Sequence, residues 1–289
     1  MSVEPGRRES LALALQTSAA MVAFAANSLL CRLALQARSI DPASFASIRI
    51  VSGALLLAWL VRRRPRDAAS TDWVAALALV AYLLPFTLAY LTLDAGTGAL
   101  LLFGAVQLTM LAVGLYGGER CTALGWCGIA AAVGGFVYLL APGHGAPPLG
   151  GAAAMALAGI AWGVYSLRGR GSLDPLASTA RNFLLAVPWV LAVNVAAAGR
   201  VHVSAAGVAL ALGSGAVASA LGYVAWYAAL RRLSALAAGT VQLSVPAIAA
   251  FGGIALLGEG ASVRLLVSSA AILGGIALVA RQRRAPRAA

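Results

Sequence analysis

The sequence predicts an all-α integral membrane protein, with ten transmembrane helices arranged as two inverted five-helix repeats. Composition predicts the membrane part. Of 289 residues, 61% are hydrophobic and only 10% are charged, with a mean hydropathy of +0.89. A soluble domain needs roughly a quarter charged residues to cover its surface, which excludes a water-soluble globule. Length predicts the number of helices. Ten spans of roughly 20 residues use about 200, leaving about 89 for nine loops and two tails. No soluble catalytic or receptor domain fits in that remainder. An ordered set of matching motifs in the two halves predicts the inversion.

Apolar runs bounded by charges or turn residues place the spans at 11–31, 44–61, 73–93, 96–117, 122–141, 149–167, 176–198, 204–230, 235–257 and 264–280. The first run follows Arg7 and Arg8 as a signal peptide would. It is long, and similar runs recur down the chain, so it is expected to be a retained span. Asp41-Pro42, Pro142-Gly143 with Pro147-Pro148, and Asp174-Pro175 punctuate the loops.

All 21 basic residues are Arg, against 9 acids, giving a formal charge of +12. Such a charge suits nucleic acid only if it lines one accessible face. Here the arginines mark the gaps between spans, so no nucleic-acid partner is expected. With alternating spans, 15 arginines fall on the side of the two tails and 4 on the other, while Arg49 and Arg181 lie inside spans two and seven. Arg-rich short loops stay cytoplasmic, which predicts that both termini face the cytoplasm. The odd set of cysteines, Cys31, Cys121 and Cys127, predicts no disulfide framework and a buried packing role.

The halves match motif by motif. Gly118-Glu119 precedes Gly134-Gly135 at the same spacing by which Gly258-Glu259 precedes Gly274-Gly275. Glu119-x-x-Thr122 matches Glu259-x-x-Ser262, and both are expected to cap the helix that follows. Tyr90-x-x-Leu93 matches Tyr227-x-x-Leu230, and Asp41-Pro42 with Arg49 parallels Asp174-Pro175 with Arg181. Phe24 with Asn27 falls opposite Trp162 with Tyr165. A repeat of five spans is odd, so its second copy enters the membrane from the opposite side. The repeats are expected at 1–142 and 143–289.

Two inverted five-span halves, each with a Gly-Glu turn after its fourth span, resemble the drug/metabolite transporter superfamily, EamA type. The pattern looks most like the aromatic amino-acid exporters of the YddG type. It departs from the fuller family pattern in having Phe24 where Trp is usual and no Pro opposite Pro246. The resemblance implies a membrane transporter exporting small metabolites, amino acids including aromatic ones, by alternating access. A lipid-linked-sugar or drug-efflux transporter of the same superfamily, or a non-transporting assembly subunit, is the alternative.

Catalysis finds no support in the residues. His144 and His202 sit in loops, no HExxH, GxSxG or CxxC pattern occurs, and no cofactor or metal is expected. All nine carboxylates lie in tails, loops or span ends, which argues against a mid-membrane proton relay. Transport uncoupled from protons is the corresponding expectation.

Substrate-binding candidates are the polar and aromatic positions on otherwise apolar helices. Tyr82, Phe86 and Tyr90 repeat every four residues on span three. Tyr223 and Tyr227 do the same on span eight, the equivalent span of the other half. Trp162 and Tyr165 share a face of span six, and Asn27 holds the matching route on span one. Gln107 and Gln242 complete the set, since an amide left unpaired in lipid is costly. Arg49 and Arg181 allow two roles, substrate carboxylate holder or rim anchor, and their position about five residues inside the spans favours the anchor. The expected passage is therefore neutral, occupied by a small-molecule substrate in a monomer surrounded by lipid.

Overall fold

The computed structural model describes residues 7–63, 72–118, 121–169, 172–233, 238 and 241–282. Among these the chain is helical throughout, apart from its connections and one isolated antiparallel bridge, Ile40 to Val203. The rods are α1 (Arg7–Gln36), α2 (Pro42–Val61), α3 (Trp73–Ala89), α4 (Ala95–Tyr116), α5 (Ala123–Leu140), α6 (Leu149–Gly169), α7 (Pro175–Ala196), α8 (Ala205–Leu230), α9 (Ser244–Leu257) and α10 (Val263–Gln282). Eight are long and apolar enough to cross a membrane, while α3 and α9 are shorter apolar helices.

Local chemistry sets most of the starts. Asp41, Asp72, Asp174 and Ser204 accept hydrogen bonds from the backbone N–H three residues on, capping α2, α3, α7 and α8. Pro42 and Pro175 occupy first-turn positions whose N–H would be unpaired in any case. A turn at Leu243 separates helical Val241 and Gln242 from α9, and Pro246 lacks the N–H that would bond the Gln242 carbonyl across it.

Large apolar side chains such as Leu55, Val137, Phe251 and Leu256 face outward. The core is built largely from Ala, Leu and aromatic residues. That inside-out surface is what hydrocarbon solvent permits. Exposed Trp59, Trp73 and Trp126 all lie close to helix ends on one face of the bundle, the disposition of an interfacial aromatic belt. The Arg62 guanidinium stacks 4.4 Å from the Trp59 ring on that face.

The main packed pairs are α5 with α10, α2 with α7, α3 with α6, α1 with α8, α4 with α6, and α9 with α1 and α4. Close approach of α5 and α10 depends on the second glycine of each Gly-Gly pair. A Cβ on Gly135 would sit 2.8 Å from Ile272 Cγ1, and one on Gly275 would strike the Gly128 carbonyl, whereas Gly134 and Gly274 face open space. Helix α8 is interrupted by a wide π segment, Gly213–Leu221. There Gly215 lies so close to α2 that a Cβ would meet Ser52 Oγ and the Arg49 carbonyl.

One of the expected caps departs from its role. Ser262 and Thr122 do cap the next helix, through Leu265 N–H and Gly125 N–H. Glu259 caps a different one, because both of its oxygens accept the Ala95 N–H at the start of α4, 2.9 Å away. Its counterpart Glu119 lies outside the described residues. Gly118 and Gly258, which precede the two glutamates, both adopt left-handed backbone (φ 84° and 68°) that favours glycine. The thiols do not share one environment either. Cys31 is buried, Cys121 is half-buried, and Cys127 is exposed on the outer side of α5.

Candidate functional site

The helices enclose one large cavity, about 880 Å³ in volume. Its walls come from α1 to α8 and α10, together with residues leading into α9. The lining reaches Gly169, Ser172 and Pro175 in the α6–α7 connection, Leu230 at the end of α8, and Ala280 near the end of α10. Those positions share a face of the bundle with the starts of α1 and α3, where Arg168 pairs with Asp72 at 2.9 Å and Arg232 with Glu9 at 3.5 Å. That pairing with Arg168 holds the Asp72 carboxyl below the usual range.

No described lining residue comes from the loops of the opposite face, which is tied shut. Arg32 donates to Glu259 Oε1, to the Tyr90 carbonyl and to Asp94 Oδ1, each at 3.2 Å. Asp41 N–H donates to the His202 carbonyl (2.8 Å), His202 N–H donates to Asp41 Oδ2 (3.1 Å), and Ser204 N–H donates to the Ser39 carbonyl (2.9 Å). Arg264 donates to the carbonyls of Tyr138, Leu139 and Ala141, ending α5 on the same face. Burial, with Asp94 nearby, raises the Glu259 carboxyl above its usual range despite the bonds it accepts.

Nine of the ten residues singled out from sequence line this cavity: Asn27, Tyr82, Phe86, Gln107, Trp162, Tyr165, Tyr223, Tyr227 and Gln242. Tyr90 does not. It is wholly buried against Gly98, with its hydroxyl directed at the Ala95 carbonyl, because the last turn of α3 swings into the closed face. The aromatic rings form a connected box. Trp162 lies 4.7 Å from Tyr82, 5.2 Å from Tyr165 and 5.9 Å from Tyr223, and Tyr223 stacks on Tyr227 at 5.9 Å. Phe24 meets Tyr223 and Trp226 edge-on.

Polar atoms in the wall are partly engaged. Asn27 Oδ1 accepts from Ser214 Oγ (2.8 Å) and Ser219 Oγ (3.2 Å), both in the π segment. In an α-helix, residues five apart point roughly 140° from each other. The i to i+5 winding of a π-helix brings them nearly into line, so one amide can hold both. Tyr165 OH donates to Thr179 Oγ1 (3.3 Å), which also pairs with Tyr227 OH (3.0 Å).

Sequence reasoning missed Thr179, Asn182 and, above all, Arg49. Thr179 and Asn182 flank Arg181 on α7 at a spacing of three, a polar pair on an apolar helix that would have flagged them. Arg49 is no rim anchor. It is 3% exposed, lines the cavity, donates to Tyr82 OH at 2.9 Å, and lies over the rings of Phe86 and Tyr82 at 4.9 and 5.5 Å. The passage is therefore not neutral.

Apolar helices packed around a large internal cavity, open toward one face and tied shut at the other, give the architecture of a multi-pass membrane protein. Residues 149–281 match the EamA-like transporter family. The match covers the second half of the chain and supports a likeness to the drug/metabolite transporter superfamily there. It is 53% identical to the Pseudomonas aeruginosa (strain PAO1) protein named "Uncharacterized protein PA1977" over 253 residues, 87% of this chain and 88% of that one. A solved structure titled "Crystal structure of protein" superposes with a TM-score of 0.63 at 20% identity, covering 93% of this chain and 98% of the other. That likeness speaks to fold alone.

Proposed function

We propose that this protein exports small metabolites, foremost amino acids including aromatic ones, by alternating access between two inverted five-helix repeats, 1–142 and 143–289. The carrying observation is the 880 Å³ aromatic cavity that reaches one face while the other is latched. Its volume falls in the range of about 300–1,000 Å³ that suits small-molecule ligands. The packing supports the repeat reading. Exchanging each of α1–α5 with its partner among α6–α10 maps the pairs α5·α10 and α2·α7 onto themselves and turns α3·α6 into α8·α1. The family match over 149–281 falls inside the second repeat.

The arginine asymmetry assigns the open face to the cytoplasm of a bacterial inner membrane, with both termini there. In that orientation the structure corresponds to the loading state of an exporter. No carboxylate occurs among the described lining residues, which favours transport down a substrate gradient without obligatory proton coupling. Aromatic faces suit a ring and attract an ammonium group.

The test is uptake of a panel of labelled amino acids into liposomes holding the purified protein, with and without a pH gradient. Saturable counterflow, lowered by Trp162→Ala or Gln242→Ala at unchanged expression, is expected. Absence of counterflow for the whole panel refutes the substrate class, and an absolute need for the pH gradient refutes the uncoupled mechanism.

A further inference from the structure

We infer that Arg49 is the anchor for a carboxylate, so the cavity selects small organic acids and zwitterions over organic cations. For its biological meaning this deepens the transport reading above, whereas the binding it describes stands apart from it. Arg49 is the only charged residue among the described lining residues, the eighth residue of α2 and almost fully buried.

One nitrogen, Nη2, is engaged by Tyr82 OH. The other, Nη1, is buried and lacks a hydrogen-bond partner, and no ion pair among the described residues includes Arg49. Removing a cation from water is costly even after relaxation. One neutral phenol and two ring faces leave that cost partly unmet. An anion is the missing group. The guanidinium fork matches a carboxylate in shape and charge, and such charge-assisted bonds are roughly twice as strong as neutral ones.

Tyr82 also fixes where the rest of the ligand lies. Its ring is shared between the Arg49 guanidinium and Trp162, 4.7 Å away. A ligand whose carboxylate pairs with the Arg49 guanidinium would share the cavity with the Trp162 and Tyr223 rings, which suit its apolar part. With no acidic side chain among the described lining residues, a purely cationic ligand would meet the Arg49 charge with nothing to offset it.

The test uses four probes of similar size: L-phenylalanine, 3-phenylpropionate, L-phenylalaninamide and phenethylamine. Binding to the full chain in detergent is followed by thermal stabilisation, and transport by competition in liposomes. The two acids are expected to bind about 10- to 100-fold more tightly than the amide and the amine. Arg49→Gln should erase that preference, Arg49→Lys should keep part of it, and Tyr82→Phe should leave it in place. If Arg49→Gln fails to fold, the Lys and Phe variants decide: a preference unchanged by Arg49→Lys and lost in Tyr82→Phe overturns the anchor.

Equal binding of acids and amines, a preference that survives Arg49→Gln, or no binding of either acid also overturns it. Acids bound through Arg49 but never carried across the bilayer would leave the anchor standing and refute the transport reading. Transport indifferent to the carboxylate would do the reverse.

Discussion

Replacing Asn27 with Leu should destabilise the protein through the π segment of α8 rather than through the cavity. Asn27, Ser214 and Ser219 are all buried, and the amide oxygen is the acceptor for both hydroxyls. Interhelical hydrogen bonds in membranes average about 0.6 kcal/mol and reach about 1.7. Two of them give about 1.2 kcal/mol at the average and about 3.4 at the upper end. Serines can turn to the carbonyl four residues back, which recovers part of the loss. Asn27→Leu is therefore expected to cost about 1–3 kcal/mol. The assay is reversible unfolding in mixed micelles, run as a double-mutant cycle with Ser214→Ala. The cost should shrink by about 0.6–1.7 kcal/mol when Ser214 is already gone. A cost under about 0.5 kcal/mol, with no coupling to Ser214, would refute the assignment of Asn27 as the clamp on the wide turn.

Gly275→Ala should be destabilising by about 1–3 kcal/mol because the new Cβ meets backbone of α5, while Gly274→Ala, facing open space, should stay within about 0.5. The same unfolding assay distinguishes them. Arg32→Gln should unlatch the closed face and speed labelling of the buried native Cys31 in a Cys121→Ala, Cys127→Ala background; unchanged labelling would show that the latch is not needed for closure. Because burial raises the Glu259 carboxyl above 4.5, the latched form takes up a proton more readily than an exposed Glu would. Its contribution to stability is full at low pH and is lost as pH rises through that raised pKa, so mild acidification should slow Cys31 labelling relative to a denatured control at each pH. At the other face Asp72 both caps α3 and pairs with Arg168, so Asp72→Ala should cost about 1 kcal/mol more in unfolding than Asp72→Asn, which keeps a cap.

The helices were legible because hydrocarbon imposes long apolar runs, and loop aspartates mark where α2, α3 and α7 begin. Most of the cavity wall was legible for a related reason: an amide or a phenol on an apolar helix must face protein or water. What escaped was anything decided by partners distant in sequence. Glu259 reads as the cap of its own helix, yet the N–H it serves is 164 residues away. Arg49 reads as a side chain reaching for headgroups, and only the packing of α2 beside α3 turns it inward onto Tyr82.

The nine residues from Gly213 to Leu221 give α8 a property its neighbours lack. A coil wound one residue too wide can tighten without any bend. Tightening would roll everything beyond it by roughly 100° and shift it by about 1.5 Å along its axis. Tyr223, Trp226 and Tyr227 lie immediately beyond, so one change of pitch would turn three cavity-lining rings together.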